Sequence, residues 1–95
     1  MAAYVIVDIE VTDSAAFERY KNAVAANIAA FGGRYLARGG ATEVLEGHWI
    51  PKRLVILEFP TMAKLKAWYR SPEYAPLLDL RKASASSNLV ITDGL

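Results

Sequence analysis

The chain has 95 residues, 54% of them hydrophobic, with no cysteine and a formal net charge of +1. This length is that of one domain, residues 1–95, and excludes a two-domain protein. The lack of cysteine excludes disulfides, thiol nucleophiles and zinc ribbons, while the scattered basic residues give no surface for a polyanion.

The first two elements have clear sequence patterns. The odd positions from Ala3 to Val11 are all apolar, which predicts a strand with one wholly apolar face. The same segment reaches Asp8 too early for a signal peptide or membrane span, so we expect a cytoplasmic protein with no membrane partner. Asp13 is a candidate cap for a long amphipathic helix that ends at Gly32–Gly33. Its apolar positions recur at steps of three and four: Phe17, Tyr20, Val24, Ile28 and Phe31.

The middle of the chain contains two strand patterns. RYLARGG and ATEVLEG predict a strand that is interrupted or turned at Gly39–Gly40, because paired glycines mark bulges and tight turns. After the loop HWIPK, the run RLVILEF is apolar on both faces except at Glu58, which predicts a central strand buried on both sides.

The last third predicts two helical segments and a strand. Thr61 is a candidate cap for a helix that ends at Ser71–Pro72. SPEY is predicted to be a turn, with the helix restarting near Pro76, because a proline inside a helix would break a backbone hydrogen bond. ASASSN ends that helix, and LVITD predicts a short last strand. The apolar stripe of the first of these helices consists of Met62, Leu65 and either Trp68 or Tyr69.

This order of elements is that of the ferredoxin-like α+β fold, βαββαβ with a four-stranded antiparallel sheet. We expect both helical segments on one face of the sheet, and the first and third strands to be central and parallel. The other face is then bare, and a bare apolar face needs a second layer. Together with the high hydrophobic content, this predicts a two-fold homodimer. The apolar residues expected on the bare face are Tyr4, Ile6, Leu54, Ile56 and Val90.

Four stretches of the sequence, FGGRYLARGG, LEGHW, RLVILEFP and AWYRSPEYAPLLDLR, resemble the bacterial family known as domain of unknown function thirteen-thirty. The resemblance covers nearly the whole chain. That family belongs to the dimeric α/β-barrel superfamily, in which two ferredoxin-like sheets face each other and enclose a cavity. The resemblance implies a homodimer but no particular reaction. Members of the superfamily include cofactor-independent monooxygenases, muconolactone isomerases, haem-degrading enzymes and stress-induced proteins, and fold analogy does not choose among them.

Three residues are candidates for catalysis. With the first and third strands parallel, Asp8 and Glu58 would lie side by side, and two carboxylates in a partly dry cavity raise the pKa of one of them towards neutrality. His48, the single histidine, would act as a base at the cavity mouth. The structural alternative is that His48 is solvated and that each carboxylate pairs with an arginine. The arginines considered for that pairing are Arg38, Arg53 and Arg81.

Five further residues are candidates for ligand binding. Arg38 and Glu46 flank the apparent hairpin, and a guanidinium fork suits a carboxylate ligand; the alternative is that they lie at the rim of a dimer contact. Tyr69 and Tyr74 would orient a ligand if their hydroxyls faced the cavity, and would otherwise be core residues. Arg81 is the fifth candidate for ligand binding.

Several classes of site are excluded by pattern. The glycine pairs fit no phosphate-binding loop, no serine stands in a nucleophile elbow, and one histidine without cysteine makes no metal site. RLVILEF lacks the stacking aromatics of an RNA-binding strand, so we expect no nucleic-acid partner. The leading hypothesis is a homodimer that binds a small metabolite in the inter-sheet cavity, either as an isomerase-like or monooxygenase-like enzyme with no cofactor or as a sequestering protein. The alternative is a non-catalytic structural or stress-related dimer.

Overall fold

The computed structural model describes all 95 residues, 1–95. Four strands form one sheet in the order β2-β3-β1-β4, and each neighbouring pair is antiparallel. The ferredoxin-like α+β architecture predicted from the sequence is confirmed. The elements are β1 (Ala3–Val11), α1 (Ser14–Ala30), β2 (Arg34–Arg38), β3 (Leu54–Phe59), α2 (Met62–Tyr69), α3 (Ala75–Ser84) and β4 (Ala85–Asp93).

The two central strands correct one prediction, because β1 and β3 are antiparallel and not parallel. The crossover through α1 makes β1 and β2 point the same way, and β3 returns antiparallel to β2, so β3 must oppose β1. Tyr4 therefore lies opposite Glu58, and Asp8 lies opposite Leu54. Four residues of strand separate the two carboxylates, about 13 Å. Asp8 and Glu58 are not side by side.

Two strand boundaries also differ from the sequence prediction. The segment ATEVLEG forms no strand, and residues 41–50 are an exposed loop. In contrast, β4 is nine residues long and begins directly after α3. It pairs along the whole of β1, from Ala3 opposite Asp93 to Val11 opposite Ala85. This pairing outweighs the weak strand preference of the serines and asparagine in ASASSN.

The helix ends follow the predicted local chemistry. The Asp13 carboxylate accepts a hydrogen bond from the backbone N–H of Ala16 at 3.1 Å, and the Thr61 hydroxyl accepts one from Lys64 at 3.1 Å. α1 ends before Gly32, whose φ of 82° is left-handed. No helix of the protein is both long enough and apolar enough to cross a membrane.

The core lies between the sheet and the helices. The odd-numbered side chains of β1 from Ala3 to Ile9 are buried there, as predicted, whereas Val11 at the end of the strand is exposed. Phe59, Trp68 and Tyr74 form an aromatic cluster in the same core. On the opposite face no helix covers the even-numbered side chains, and Val90 is 60% exposed. The predicted bare face is therefore present. Its other apolar members, all half-buried, are Tyr4, Ile6, Leu54 and Ile56.

Candidate functional site

A small cavity of the protomer lies on the helix side of the sheet. It is lined by 17 residues, 13 of them hydrophobic, and the remaining four are cations with no carboxylate among them. The space open to the centres of water molecules is about 40 Å³, enough for roughly three waters. The cavity is therefore small, mostly apolar and positively charged. Its tyrosines and arginines are Tyr20, Tyr35, Tyr74, Arg38, Arg53 and Arg81.

Two buried tyrosines meet in this cavity. Tyr20 on α1 and Tyr74 at the start of α3 share a hydrogen bond of 2.9 Å between their hydroxyls. Tyr74 is fixed by its ring, which packs 4.3 Å from that of Trp68. Burial, and then the neighbouring Tyr74, raises the pKa of Tyr20 far above its usual range, so this phenol is neutral. One hydroxyl donates to the other, and the second O–H proton has no acceptor in the protein.

Arg81 reaches the same cavity from α3. Its side chain is almost fully buried at 5% exposure, and its Nε has no hydrogen-bond partner. Burial acts to lower the pKa of Arg81, but the hydroxyls of Tyr74 and Tyr20 more than offset this, so the pKa is raised and the group is charged. Buried charges in proteins are normally paired with an opposite charge. Arg81 has no such partner in the cavity.

Two more arginines approach from the sheet. Arg53, directly before β3, places its guanidinium 5.6 Å from the ring centre of Phe17, and its buried Nε also has no partner. Arg38 on β2 lies 4.4 Å above the ring of Tyr35 and donates a 3.2 Å hydrogen bond to the Lys21 carbonyl of α1. Arg38 therefore spans the opening between the edge strand and α1.

Tyr35 lies below Arg38 in the cavity wall. Burial raises its pKa, although the charges of Arg38 and Arg53 act in the opposite direction. The phenol is therefore neutral, and its hydroxyl is available as a donor.

The structure brings three of the predicted ligand-binding residues together, since Arg38, Tyr74 and Arg81 all line the cavity. Tyr69 lies outside it, with its ring 5.9 Å from that of Tyr74, and contributes to a separate surface groove between α2 and β4. Glu46 is in the exposed 41–50 loop, so the sequence grouping of Arg38 with Glu46 as a hairpin pair does not occur.

The predicted catalytic residues lie elsewhere. His48 is exposed in the 41–50 loop. Asp8 accepts hydrogen bonds from Trp49 Nε1 at 2.9 Å and from the backbone N–H groups of Lys52 and Arg53. The Trp49 bond, followed by the two backbone bonds, lowers the pKa of Asp8 although burial opposes them. Asp8 is an ionised anchor for the end of the loop, and its partners are not the arginine side chains proposed from the sequence.

Glu58 is on the bare face of β3, away from the cavity. Arg34 donates to its carboxylate through Nε at 2.8 Å and through Nη2 at 2.7 Å. These bonds, and then the bond with Tyr4, lower the pKa of Glu58. Its arginine partner is Arg34, which is not among the three arginines predicted for this pairing. A catalytic role for Glu58, Asp8 or His48 stays a prediction, and none of the three contacts the cavity.

Three residues of the cavity wall, Tyr20, Tyr35 and Arg53, are not among the ligand-binding candidates predicted from the sequence. Tyr20 was predicted in the apolar stripe of α1, and it does lie there. Its hydroxyl is the feature that could have indicated a polar contact in the cavity. Arg53 directly precedes an apolar central strand, and its side chain reaches the helix side of the sheet. Only the antiparallel register places it beside the cavity.

Comparison with known families gives one match. The model of a family described as Domain of unknown function (DUF1330) matches residues 2–95. None of the curated proteins compared with the chain matches it.

Several solved structures share the architecture. A protein of unknown function from Rhodopseudomonas palustris has a TM-score of 0.81 at 18% identity, covering 99% of this chain and 82% of its own. SnoaB, a cofactor-independent oxygenase from Streptomyces nogalater, has a TM-score of 0.69 at 13% identity, covering 99% of this chain and 93% of its own. A dimeric ferredoxin-like protein of unknown function from Jannaschia sp. CCS1 has a TM-score of 0.67 at 18% identity, with coverages of 99% and 100%. These identities establish a common fold alone.

Proposed function

The chain belongs to the DUF1330 family, a domain of unknown function, and from its own site we propose that it binds a small organic anion between the sheet and the helices. One observation carries the proposal: the cavity contains three arginines and no carboxylate, and two of their buried Nε atoms have no partner. Arginine binds carboxylates through paired, charge-assisted hydrogen bonds. A bound anion would supply the missing partner.

The tyrosines support the same ligand class. The Tyr20 and Tyr74 hydroxyls leave one O–H proton without an acceptor in the protein. A carboxylate oxygen beside Arg81 would accept it. The cavity thus offers guanidinium and phenol donors, and no carboxylate, within a mostly apolar wall. This composition is typical of sites that orient a ligand with a few polar contacts.

The size of the cavity limits the ligand. Space for roughly three waters corresponds to a carboxylate with a short apolar part, such as acetate or propionate. A larger metabolite requires Arg38 to leave the Lys21 carbonyl and open the mouth. The proposed site differs from the inter-sheet cavity expected from the sequence, because it is inside each protomer and on the helix side.

We also propose that the bare face forms a two-fold homodimer. The face carries apolar side chains without cover, and the adjoining loop adds Leu45, Trp49 and Ile50, which are 85%, 60% and 69% exposed. Apolar patches of this kind mark interfaces. The dimeric protein from Jannaschia sp. CCS1 provides a precedent on the same fold.

A cofactor-independent enzyme is the second candidate. Its support is the common fold with the oxygenase SnoaB and a set of cavity donors that would stabilise an enolate or phenolate oxygen. However, the lining includes neither a carboxylate nor a histidine that would accept a proton, and the pKa of Tyr20 and of Tyr35 is raised. The geometry therefore favours anion binding over proton abstraction. A purely structural dimer, the remaining alternative, gives no reason for an unpaired buried charge at Arg81.

The test is titration calorimetry with acetate and propionate on the wild type and on Arg81→Met, a change that removes the charge at similar length. Loss of a charged hydrogen bond predicts an affinity at least about tenfold weaker. The free energy of unfolding should stay level or rise, because an unpaired buried charge is removed. Arg70→Met, at an exposed position, is the control. Unchanged affinity in Arg81→Met, with or without a loss of stability, would refute the proposal.

A further inference from the structure

Both the backbone and the guanidinium of Arg53 are held by contacts. Its backbone N–H donates to Asp8 Oδ1 at 3.2 Å, and its carbonyl accepts from the N–H of Ile9 at 2.9 Å. Its guanidinium packs on Gly39, where an added Cβ would lie 2.5 Å from Arg53 Nη1. We propose that Arg53 contacts the bound anion, and that Asp8 and Gly39 are positioning residues that hold its guanidinium in the cavity. This inference rests on the proposed function.

Asp8 acts on Arg53 from the other face of the sheet. Asp8 is on the bare face of β1, and Arg53 directs its side chain to the helix-side cavity. Asp8 Oδ1 accepts hydrogen bonds from two successive backbone N–H groups, that of Lys52 at 2.8 Å and that of Arg53 at 3.2 Å. The other carboxylate oxygen of Asp8 accepts from Trp49 Nε1 at 2.9 Å. These three bonds fix the end of a long loop at the residue that enters the cavity.

Gly39 acts on the guanidinium itself. Its φ of +71° is left-handed, and its N–H donates to the Leu54 carbonyl at 2.9 Å. A Cβ at this position would also lie 2.7 Å from Arg53 Cζ and 3.1 Å from Cγ, so the guanidinium would have to move from its place in the cavity. Gly47 has a similar φ of +89° but nothing within 4 Å of an added Cβ. Gly47→Ala is therefore a matched control for backbone strain without the contact.

The experiment follows the Arg53 Nε–H signal by ¹⁵N NMR in free protein and during titration with acetate. Gly39→Ala should shift this signal in free protein and weaken acetate binding by about tenfold, the effect of one charged hydrogen bond. Gly47→Ala should do neither. Asp8→Ala should reproduce the Gly39→Ala result. Asp8→Asn should keep most of the wild-type behaviour, because an amide oxygen still accepts the two backbone N–H groups.

The outcomes separate this inference from the proposed function. An unmoved Arg53 signal in Gly39→Ala and Asp8→Ala would overturn the positioning roles, whatever the protein binds. A shifted signal with unchanged acetate affinity would overturn Arg53 as the anion contact. Failure of wild-type protein to bind acetate or propionate would overturn the proposed function, and the ligand role of Arg53 with it. The same spectra show whether a variant has unfolded, because unfolding removes the dispersion of the amide signals. If Asp8→Ala unfolds, Asp8→Asn is compared with the wild type in its place.

Discussion

Single side chains determine the chemistry of the cavity. Arg38, Tyr74 and Arg81 were predicted from the sequence as ligand contacts, and all three line the cavity; their role in binding stays a prediction. Tyr20 was not among them, since its position in the stripe of α1 predicts packing equally well. Asp8 and Glu58 were expected as a catalytic pair, and that expectation depended on a parallel alignment which the structure replaces with an antiparallel one.

The Tyr20–Tyr74 hydrogen bond provides the first prediction. Tyr20→Phe and Tyr74→Phe should each lower the free energy of unfolding by about 1 kcal/mol, and the double variant should cost little more than either one. Urea denaturation measures all three. Tyr69→Phe is the control, because the Tyr69 ring packs nearby but lies outside the cavity. Fully additive losses would show that the two hydroxyls do not interact.

The Glu58–Arg34 pair predicts a specific pH dependence. The pKa of Glu58 is below its ordinary value of 4.5, with Arg34 the main cause. Because the folded-state pKa is lowered, the stability due to Glu58 is fully present above about pH 4.5 and is lost as the pH falls through the lower value. Glu58→Gln should therefore flatten the acid side of the stability curve, measured by thermal unfolding from pH 6 to about pH 2.

The same variant also tests the catalytic prediction for Glu58. Because Glu58 is on the bare face, Glu58→Gln should leave acetate binding unchanged. Loss of binding with an intact fold and dimer would instead favour a pocket role for this carboxylate.

At the level of elements, the sequence predicted what local chemistry controls. Both helix caps, the turn at SPEY and the apolar alternation of β1 follow from neighbouring residues. The long-range features did not follow. ATEVLEG has the residues of a strand but finds no partner strand, while the last four residues of ASASSN, 85–88, have weak strand preference and are paired with β1. Pairing partners are a property of the folded sheet and not of the segment.

The cap of α1 is a testable element. Asp13→Ala removes the hydrogen bond to Ala16 and should cost about 1 kcal/mol of stability. Asp13→Asn should restore most of this loss, because the amide oxygen accepts the same bond. Chemical denaturation compares the three proteins. Equal stability of Asp13→Ala and wild type would show that the cap does not contribute.

For the whole molecule, the uncovered sheet face is the feature with most consequence. A standard interface buries about 800 Å² on each partner, and one face of a four-stranded sheet with its adjoining loop provides an area of that order. The bare face could be predicted from β1 alone, because even-numbered positions Tyr4 and Ile6 are apolar as well as the odd ones.

Replacing one apolar residue at the centre of this face tests the dimer. Ile6→Lys, opposite Ile56 in the sheet, should give a monomer in light scattering after size exclusion, because each protomer would bury a lysine charge in the interface. Ala26→Lys, exposed on α1, should remain a dimer. A dimeric Ile6→Lys, or a monomeric wild type, would contradict the proposed interface.

The unpaired arginines of the helix-side cavity are the groups that we propose bind a small anion. The most direct test is the arginine Nε–H region of the ¹⁵N NMR spectrum of the wild type, titrated with acetate at constant ionic strength. We expect saturable shifts for Arg53 and Arg81, whose Nε atoms are buried without partners, and none for the exposed Arg19 and Arg70. No shift at Arg53 and Arg81, or equal shifts at all four, would contradict the proposal.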